Sequence, residues 1–234
     1  MNFFKKLSKQ VVNEPEAELK VTPPSVGEME EAIAKRIRVI KREFTDGFNF
    51  IKNHTRSVTF FGSARFDPDH PFYRQAEDLA ARLSKAGFTI VTGGGPGIMQ
   101  AANQGANEAG GQSLGLTISL PNEQITNPYL TDYIGFNYFF TRKVCLSFSA
   151  KAFIYFPGGF GTLDELFEII TLVQTMKIPP VPIILVGSEF WQPLADFIRR
   201  YLLEKNQTIS SKDLDLFIIT DDLAEVVEVV KRTI

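Results

Sequence analysis

A loop of glycines followed by a threonine and two carboxylates is the part of this 234-residue chain best equipped for chemistry. In Phe153-Ile154-Tyr155-Phe156-Pro157-Gly158-Gly159-Phe160-Gly161-Thr162-Leu163-Asp164-Glu165, an apolar run breaks at Pro157 into a loop with three glycines, and a helical pattern begins at Thr162. A strand, a tight glycine turn and a helix N-terminus in succession aim several backbone N–H groups at one point, where an anion is favoured. Glu165 falls in the first helical turn. The helix dipole stabilises a carboxylate there, but a carboxylate repels a phosphate, so Glu165 is expected to meet another part of the ligand. Thr92-Gly93-Gly94-Gly95-Pro96-Gly97 forms a second turn of the same kind. A single Gly-Gly would read as turn-making alone; two glycine-rich strand-helix turns in one chain favour anion binding.

Two common nucleotide fingerprints are absent. A dinucleotide site wants G-x-G-x-x-G and an acidic residue about 20 positions on. Ile98 and Asp164 stand where the last glycine of each turn would fall, and no acidic residue ends the strand near Thr117-Ile118-Ser119. No glycine pair is followed by Lys-Ser or Lys-Thr as a P-loop requires. A monophosphate remains, held by the amides of Gly159 to Thr162 and the Thr162 hydroxyl.

The elements that must position these turns alternate regularly. Strands are expected at Ser57–Phe61, Phe88–Val91, Gln112–Ser119, Tyr133–Phe136, Phe153–Phe156, Val181–Val186 and Leu216–Ile219. Helices are expected at Pro71–Ala86, Ile98–Ala109, Asn137–Ala150, Thr162–Lys177, Glu189–Leu203 and Asp221–Lys231. Such alternation implies βαβ units and a doubly wound, mostly parallel, Rossmann-like sheet with helices on both faces. The glycine turns after Phe61, Val91 and Phe156 then converge outside the carboxyl ends of the strands. Ahead of this domain (residues 51–234), residues 1–50 form an arm and a helix. Residues 1–24 read as a mobile arm or surface strap. Ser25 and Glu28 make a capping box, and Met29, Ile33, Ile37, Ile40, Phe44 and Phe48 recur at helical spacing toward an end near Asp46-Gly47.

Composition narrows the function classes. A net charge of -2 gives no electrostatic case for a nucleic-acid polymer or an anionic membrane. One cysteine, Cys145, excludes an intramolecular disulfide and fits a reducing, cytoplasmic compartment; as part of an apolar pattern it reads as a buried small residue. Cys145 and two histidines, His54 and His70, make a zinc site unexpected, so no metal or cofactor is assigned. No apolar run approaches the roughly 20 residues that span a bilayer.

Pro157-Gly158-Gly159-Phe160-Gly161-Thr162-Leu163-Asp164-Glu165 resembles the P-G-G-x-G-T-x-x-E signature of the LOG family, phosphoribohydrolases also catalogued as lysine decarboxylase-like. Phe140-Thr141-Arg142-Lys143, Gly93 to Met99 and Phe61-Gly62-Ser63 are similar to three further segments of that family, in order, from about residue 57 to 187. Asn137-Tyr138-Phe139-Phe140 departs from the Met-His of plant-type members. The resemblance implies hydrolysis of the N-glycosidic bond of a nucleoside 5′-monophosphate, AMP or a cytokinin riboside monophosphate, by a homodimer or higher homo-oligomer. It implies Arg142 and Glu165 as the catalytic pair and Gly158, Gly159, Phe160, Gly161 and Thr162 as the phosphate cradle. Ser63, Arg65, Gly94, Gly95, Gly97, Met99 and Lys143 are then nucleoside contacts, with Asp164 facing solvent. The alternatives are a noncatalytic binding protein of the same fold and, from the older label, a decarboxylase, for which no motif singles out a Schiff-base lysine.

Overall fold

The computed structural model describes residues 25–119 and 126–234. The expected arm over residues 1–24 and the start of the polar loop after Ser119 lie outside the described residues. The chain divides into two compact units, Met1–Arg38 and Val39–Ile234.

The larger unit is built on a seven-stranded sheet in which all pairings are parallel, ordered β4-β3-β2-β1-β5-β6-β7. The strands are β1 (Ser57–Phe61), β2 (Thr89–Thr92), β3 (Ser113–Ile118), β4 (Asp132–Phe136), β5 (Ala150–Tyr155), β6 (Ile183–Val186) and β7 (Ile218–Thr220). Strand order reverses between β1 and β5, which pair over Ser57 to Phe61. Loops leaving these two neighbours must diverge, and a crevice opens at their carboxyl ends. β1 is buried along its length and β5 everywhere but at the half-buried Lys151, as strands covered on both faces must be.

Alternation sends successive side chains to opposite faces. Val58, Phe60, Ala152, Ile154, Phe156, Ile184 and Val186 pack against helices α2 (Pro71–Lys85), α3 (Ile98–Glu108) and α7 (Leu223–Lys231). Phe61, Phe153, Tyr155, Ile183 and Leu185 face α4 (Phe139–Phe148), α5 (Phe160–Gln174), α6 (Ser188–Phe197) and the end of α1 (Val26–Ile51). Trp191 of α6 is buried there and donates its indole N–H to the Val186 carbonyl at 3.0 Å.

Two sequence expectations meet a physical correction. The α1 capping box forms, with the Ser25 N–H 2.8 Å from Glu28 Oε2, but the helix runs through Gly47 to Ile51. Gly47 is a close-approach site: a Cβ there would lie 2.5 Å from Cys145 Sγ and 2.9 Å from Phe136 Cζ. α5 starts at Phe160, two residues early, because Gly159 serves as its N-cap. His70 caps α2 by accepting the Phe72 N–H at its Nδ1 (3.2 Å) and stacks on Phe66.

Candidate active site

Backbone contacts bring the three glycine turns together. The Ser63 N–H donates to the Pro157 carbonyl at 3.0 Å, and the Ser63 carbonyl accepts the Ile98 N–H at 2.9 Å, linking the ends of β5, β1 and the start of α3. Gly97 has φ +68°, and a Cβ there would drive into the Ser63 carbonyl and the Ala64 backbone. Only glycine suits that junction. Gly158 is packed as tightly, its missing Cβ occupied by Thr162, which is buried beneath it.

Gly159 and Gly161 differ. A Cβ on either would meet nothing within 4 Å, and Gly159 has an ordinary φ of -94°. Neither packing nor backbone strain demands glycine here; what the two residues leave is open space over the first turn of α5. The first N–H groups of a helix have no intrahelical acceptor, and they carry the positive end of its dipole. Those of Phe160, Gly161 and Thr162 are the amides expected to meet a phosphate, and the Phe160 side chain is 93% exposed.

α4 and α5 bring together two cations and three carboxylates. Arg142 Nη2 lies 3.6 Å from Glu165 Oε1. Lys143 Nζ lies 2.8 Å from Asp164 Oδ2, 2.7 Å from Glu168 Oε2 and 3.9 Å from Glu165 Oε2. Asp164 is solvent-facing as expected, yet it also ties down the lysine. The Glu165 and Lys143 side chains are only 10% and 11% exposed. Burial pushes the Glu165 carboxyl up to about 7; Lys143 and Arg142 pull the other way, and Glu168 and Asp164 add to the rise. Burial also works against the Lys143 charge, but hydrogen bonds to Asp164 and Glu168 and the field of Glu165 outweigh it and hold its pKa above the ordinary value. Arg142 is drawn below its usual range by burial, against the pull of Glu165, and a guanidinium stays charged there.

Arg142 is a donor awaiting acceptors. Its buried Nε makes no hydrogen bond among the described residues, and the Glu165 oxygen lies beyond hydrogen-bond reach. Its Nη1 would be 3.3 Å from a Cβ on Gly93, so that glycine makes room for the guanidinium. Met99 Sδ lies 2.9 Å from the same Cβ position, putting Met99 beneath the second glycine turn with Gly94 and Gly95. Arg65 is exposed and makes no side-chain hydrogen bond or ion pair among the described residues.

Some supporting residues had escaped the sequence reading. Asn127 is buried, donates its backbone N–H to the Gly94 carbonyl at 2.9 Å, and gives its side-chain N–H₂ to the Gly95 carbonyl (3.1 Å) and to Asn103 Oδ1 (3.0 Å). Tyr155 donates its hydroxyl to the Glu165 carbonyl at 3.2 Å from beneath. No group of three His, Cys, Asp or Glu side chains able to hold a metal occurs among the described residues.

Fold and site together define a doubly wound α/β protein with an open helix N-terminus after β5, next to the strand-order reversal, and a buried Arg-Glu pair on α4 and α5. Residues 99–230, more than half of the chain, match the family model described as "Possible lysine decarboxylase", and the chain belongs to that family, the LOG family. It is 32% identical over 126 residues to the cytokinin riboside 5′-monophosphate phosphoribohydrolase LOG5 of Arabidopsis thaliana, covering 53% of this chain and 55% of that one. With LOG2 of the same plant it shares 31% over 150 residues, 63% of this chain and 70% of the other. The chain thus spans little more than half of the first relative's length. Among solved structures, the molybdenum cofactor carrier protein of Chlamydomonas reinhardtii has the same fold, with a TM-score of 0.56 at 22% identity, over 76% of this chain and 96% of that one.

Proposed function

We propose that the protein hydrolyses the N-glycosidic bond of a nucleoside 5′-monophosphate, releasing free base and ribose 5-phosphate. The observation that carries this reading is Glu165: a carboxyl buried beside two cations, on the helix whose N-terminus is open, and poised near neutrality. With the phosphate on the α5 N-terminus, the sugar lies between that turn and the α4 cations. Breaking the C1′–N bond develops positive charge on the ribose, which the ionised Glu165 stabilises. The same carboxylate takes a proton from the attacking water as its oxygen bonds to C1′, and the base departs with the bonding electrons and is protonated. Arg142 uses its unmet donors on the ligand and orients Glu165. The relatives named as phosphoribohydrolases support this chemistry.

The family's older description suggests amino-acid decarboxylation, which needs a neutral lysine amine to form a Schiff base with pyridoxal phosphate. The residues do not fit that cofactor. Lys143, the lysine at the site, is held protonated by two hydrogen-bonded carboxylates and the Glu165 field. A noncatalytic carrier would need the cradle but not a carboxyl kept near neutral pKa.

Exposed Phe139, Phe140, Val144 and Phe148 on α4 and Phe160 and Phe167 on α5 support the homodimer reading. No helix among the described residues is long and apolar enough to cross a membrane, which suits a cytoplasmic nucleotide enzyme.

The test is base release from AMP, GMP, CMP and isopentenyladenosine monophosphate, each against its dephosphorylated nucleoside. Cleavage of at least one nucleotide, with its nucleoside slower by about 10²-fold or more, is expected if the helix terminus binds the phosphate. Equal rates on nucleotide and nucleoside would remove the phosphate from the mechanism.

A further inference from the structure

α4 begins without a cap of its own. Tyr138 at the N-cap makes no side-chain cap hydrogen bond, and the first turn holds no acidic residue. Arg142 and Lys143 stand in the fourth and fifth helical positions, where the positive end of the dipole disfavours them. The missing group comes from 94 to 98 residues away. Glu43 Oε1 accepts the Asn137 backbone N–H at 2.7 Å and its side-chain N–H₂ at 2.9 Å; Oε2 accepts the Tyr138 N–H at 3.4 Å and the Thr141 hydroxyl at 2.5 Å.

Beside this carboxylate α1 and α4 pack through rings and small residues, and the cavity it lines is shared with Val39, Arg42, Asp46, Ile134 and Asn137. Glu43 is 7% exposed; Phe44 meets Phe140 edge-on at 6.3 Å, Phe48 meets Phe148 at 4.7 Å, and Gly47 admits Cys145. Burial works against the Glu43 charge, but the hydrogen bonds from Thr141, Asn137 and Tyr138 outweigh it and hold its pKa below the usual carboxylate value. A hydrophobic side chain would fill the same seam. A charged one is explained by the donors it collects and the helix end it neutralises.

We propose that Glu43 is a positioning residue: by capping α4 from α1 it sets the roll and height of that helix, and so the point at which Arg142 and Lys143 meet Glu165. Its three partners, Asn137, Tyr138 and Thr141, precede the two cations directly, and Thr141 is held by its own side chain. A helix roll of about 10° moves a group roughly 7 Å from the axis by about 1 Å. Displacements of that size at a reacting centre cost up to about 10²-fold in rate. The kinetic part rests on the phosphoribohydrolase reading; the geometric part does not.

Glu43→Gln keeps the shape of the side chain, removes its charge and turns an N–H₂ group toward donors. The expected result is a kcat on AMP lowered about tenfold or more, with a smaller rise in KM because the α5 N-terminus is untouched while Arg142 and Lys143 shift. The ¹³C carboxyl resonance of Glu165, followed against pH, should titrate at least about half a unit higher as the cations lose their placement. A cap that serves folding alone would lower Tm yet leave kcat per folded molecule and the Glu165 titration unchanged, and that result overturns the proposal. If wild type releases no base from any nucleotide, the hydrolase reading fails, while the Glu165 titration still decides the role of Glu43. Should Glu43→Gln not fold, Thr141→Val removes one donor, and it should shift both readouts in the same direction by a smaller amount; no shift in a folded Thr141→Val protein counts equally against the idea.

Discussion

Replacing Glu165 by glutamine perturbs both stability and rate, and the two effects have opposite signs. The carboxyl ordinarily titrates at 4.5 and is pushed up to about 7 in the folded chain, chiefly by burial. A raised carboxyl pKa means that the native state binds the proton more tightly than the unfolded chain. Stability from this group is therefore greatest at low pH and is lost as pH rises from the unfolded value through about 7. Between pH 5 and pH 8 the loss is about 2–3 kcal/mol, at about 1.36 kcal/mol per unit. The Glu165→Gln side chain is neutral throughout and escapes it. The two proteins should be nearly equally stable at pH 5, and the variant more stable at pH 8 by about 2–3 kcal/mol, or roughly 5–10 °C in Tm for a chain of this size. Urea unfolding of both proteins at the two pH values measures the difference directly. A stability gap that does not change with pH would refute the claim that this carboxyl is desolvated at the price of stability, a cost that makes sense only for a functional group.

Other consequences can be checked separately. Because the ionised carboxylate does the chemistry, kcat should fall as pH drops through about 7, with a single ionisation on the acid limb that disappears in Glu165→Gln. Gly161→Ala fills the open space over α5 without strain and improves a helical position; Tm should hold or rise slightly, while KM for the nucleotide rises about tenfold or more. A lower Tm with unchanged KM would show that the glycine serves folding instead. Gly47→Ala should gain about 1 kcal/mol in helix propensity. It should lose more, about 1–3 kcal/mol, to the clash with Cys145 and Phe136, for a net destabilisation read by denaturant unfolding.

Much of this was legible in the chain because each feature is local. Ser57–Phe61 announced a buried strand by its short β-branched and aromatic run, and the Ser25–Glu28 cap formed as the spacing foretold. The turns at Gly93–Gly97 and Gly158–Gly161 were readable because glycine at a strand-helix junction has few other uses. What escaped depends on contacts between distant segments. Gly47 looked like a stop signal because a glycine that admits Cys145 is indistinguishable, within α1 alone, from one that ends a helix. Glu43 and Asn127 act 94 and 32 residues away from Asn137 and Gly95. Glu43 did leave a trace: with Ile40, Phe44, Gly47 and Phe48 it shares the buried stripe of α1, an acidic residue at an apolar position. The elevated Glu165 pKa likewise arises from burial in the folded chain, which no spacing within α5 encodes.

The central claim is that Glu165 cleaves a bound nucleoside monophosphate. Incubating wild type and Glu165→Gln with AMP, and quantifying adenine and ribose 5-phosphate together, tests it most directly. Hydrolysis through this carboxylate predicts equimolar adenine and ribose 5-phosphate from wild type, and a rate lowered by about 10²–10⁴-fold in a variant that still binds the nucleotide. Undiminished release by Glu165→Gln, or tight AMP binding by wild type with no release at all, would contradict it.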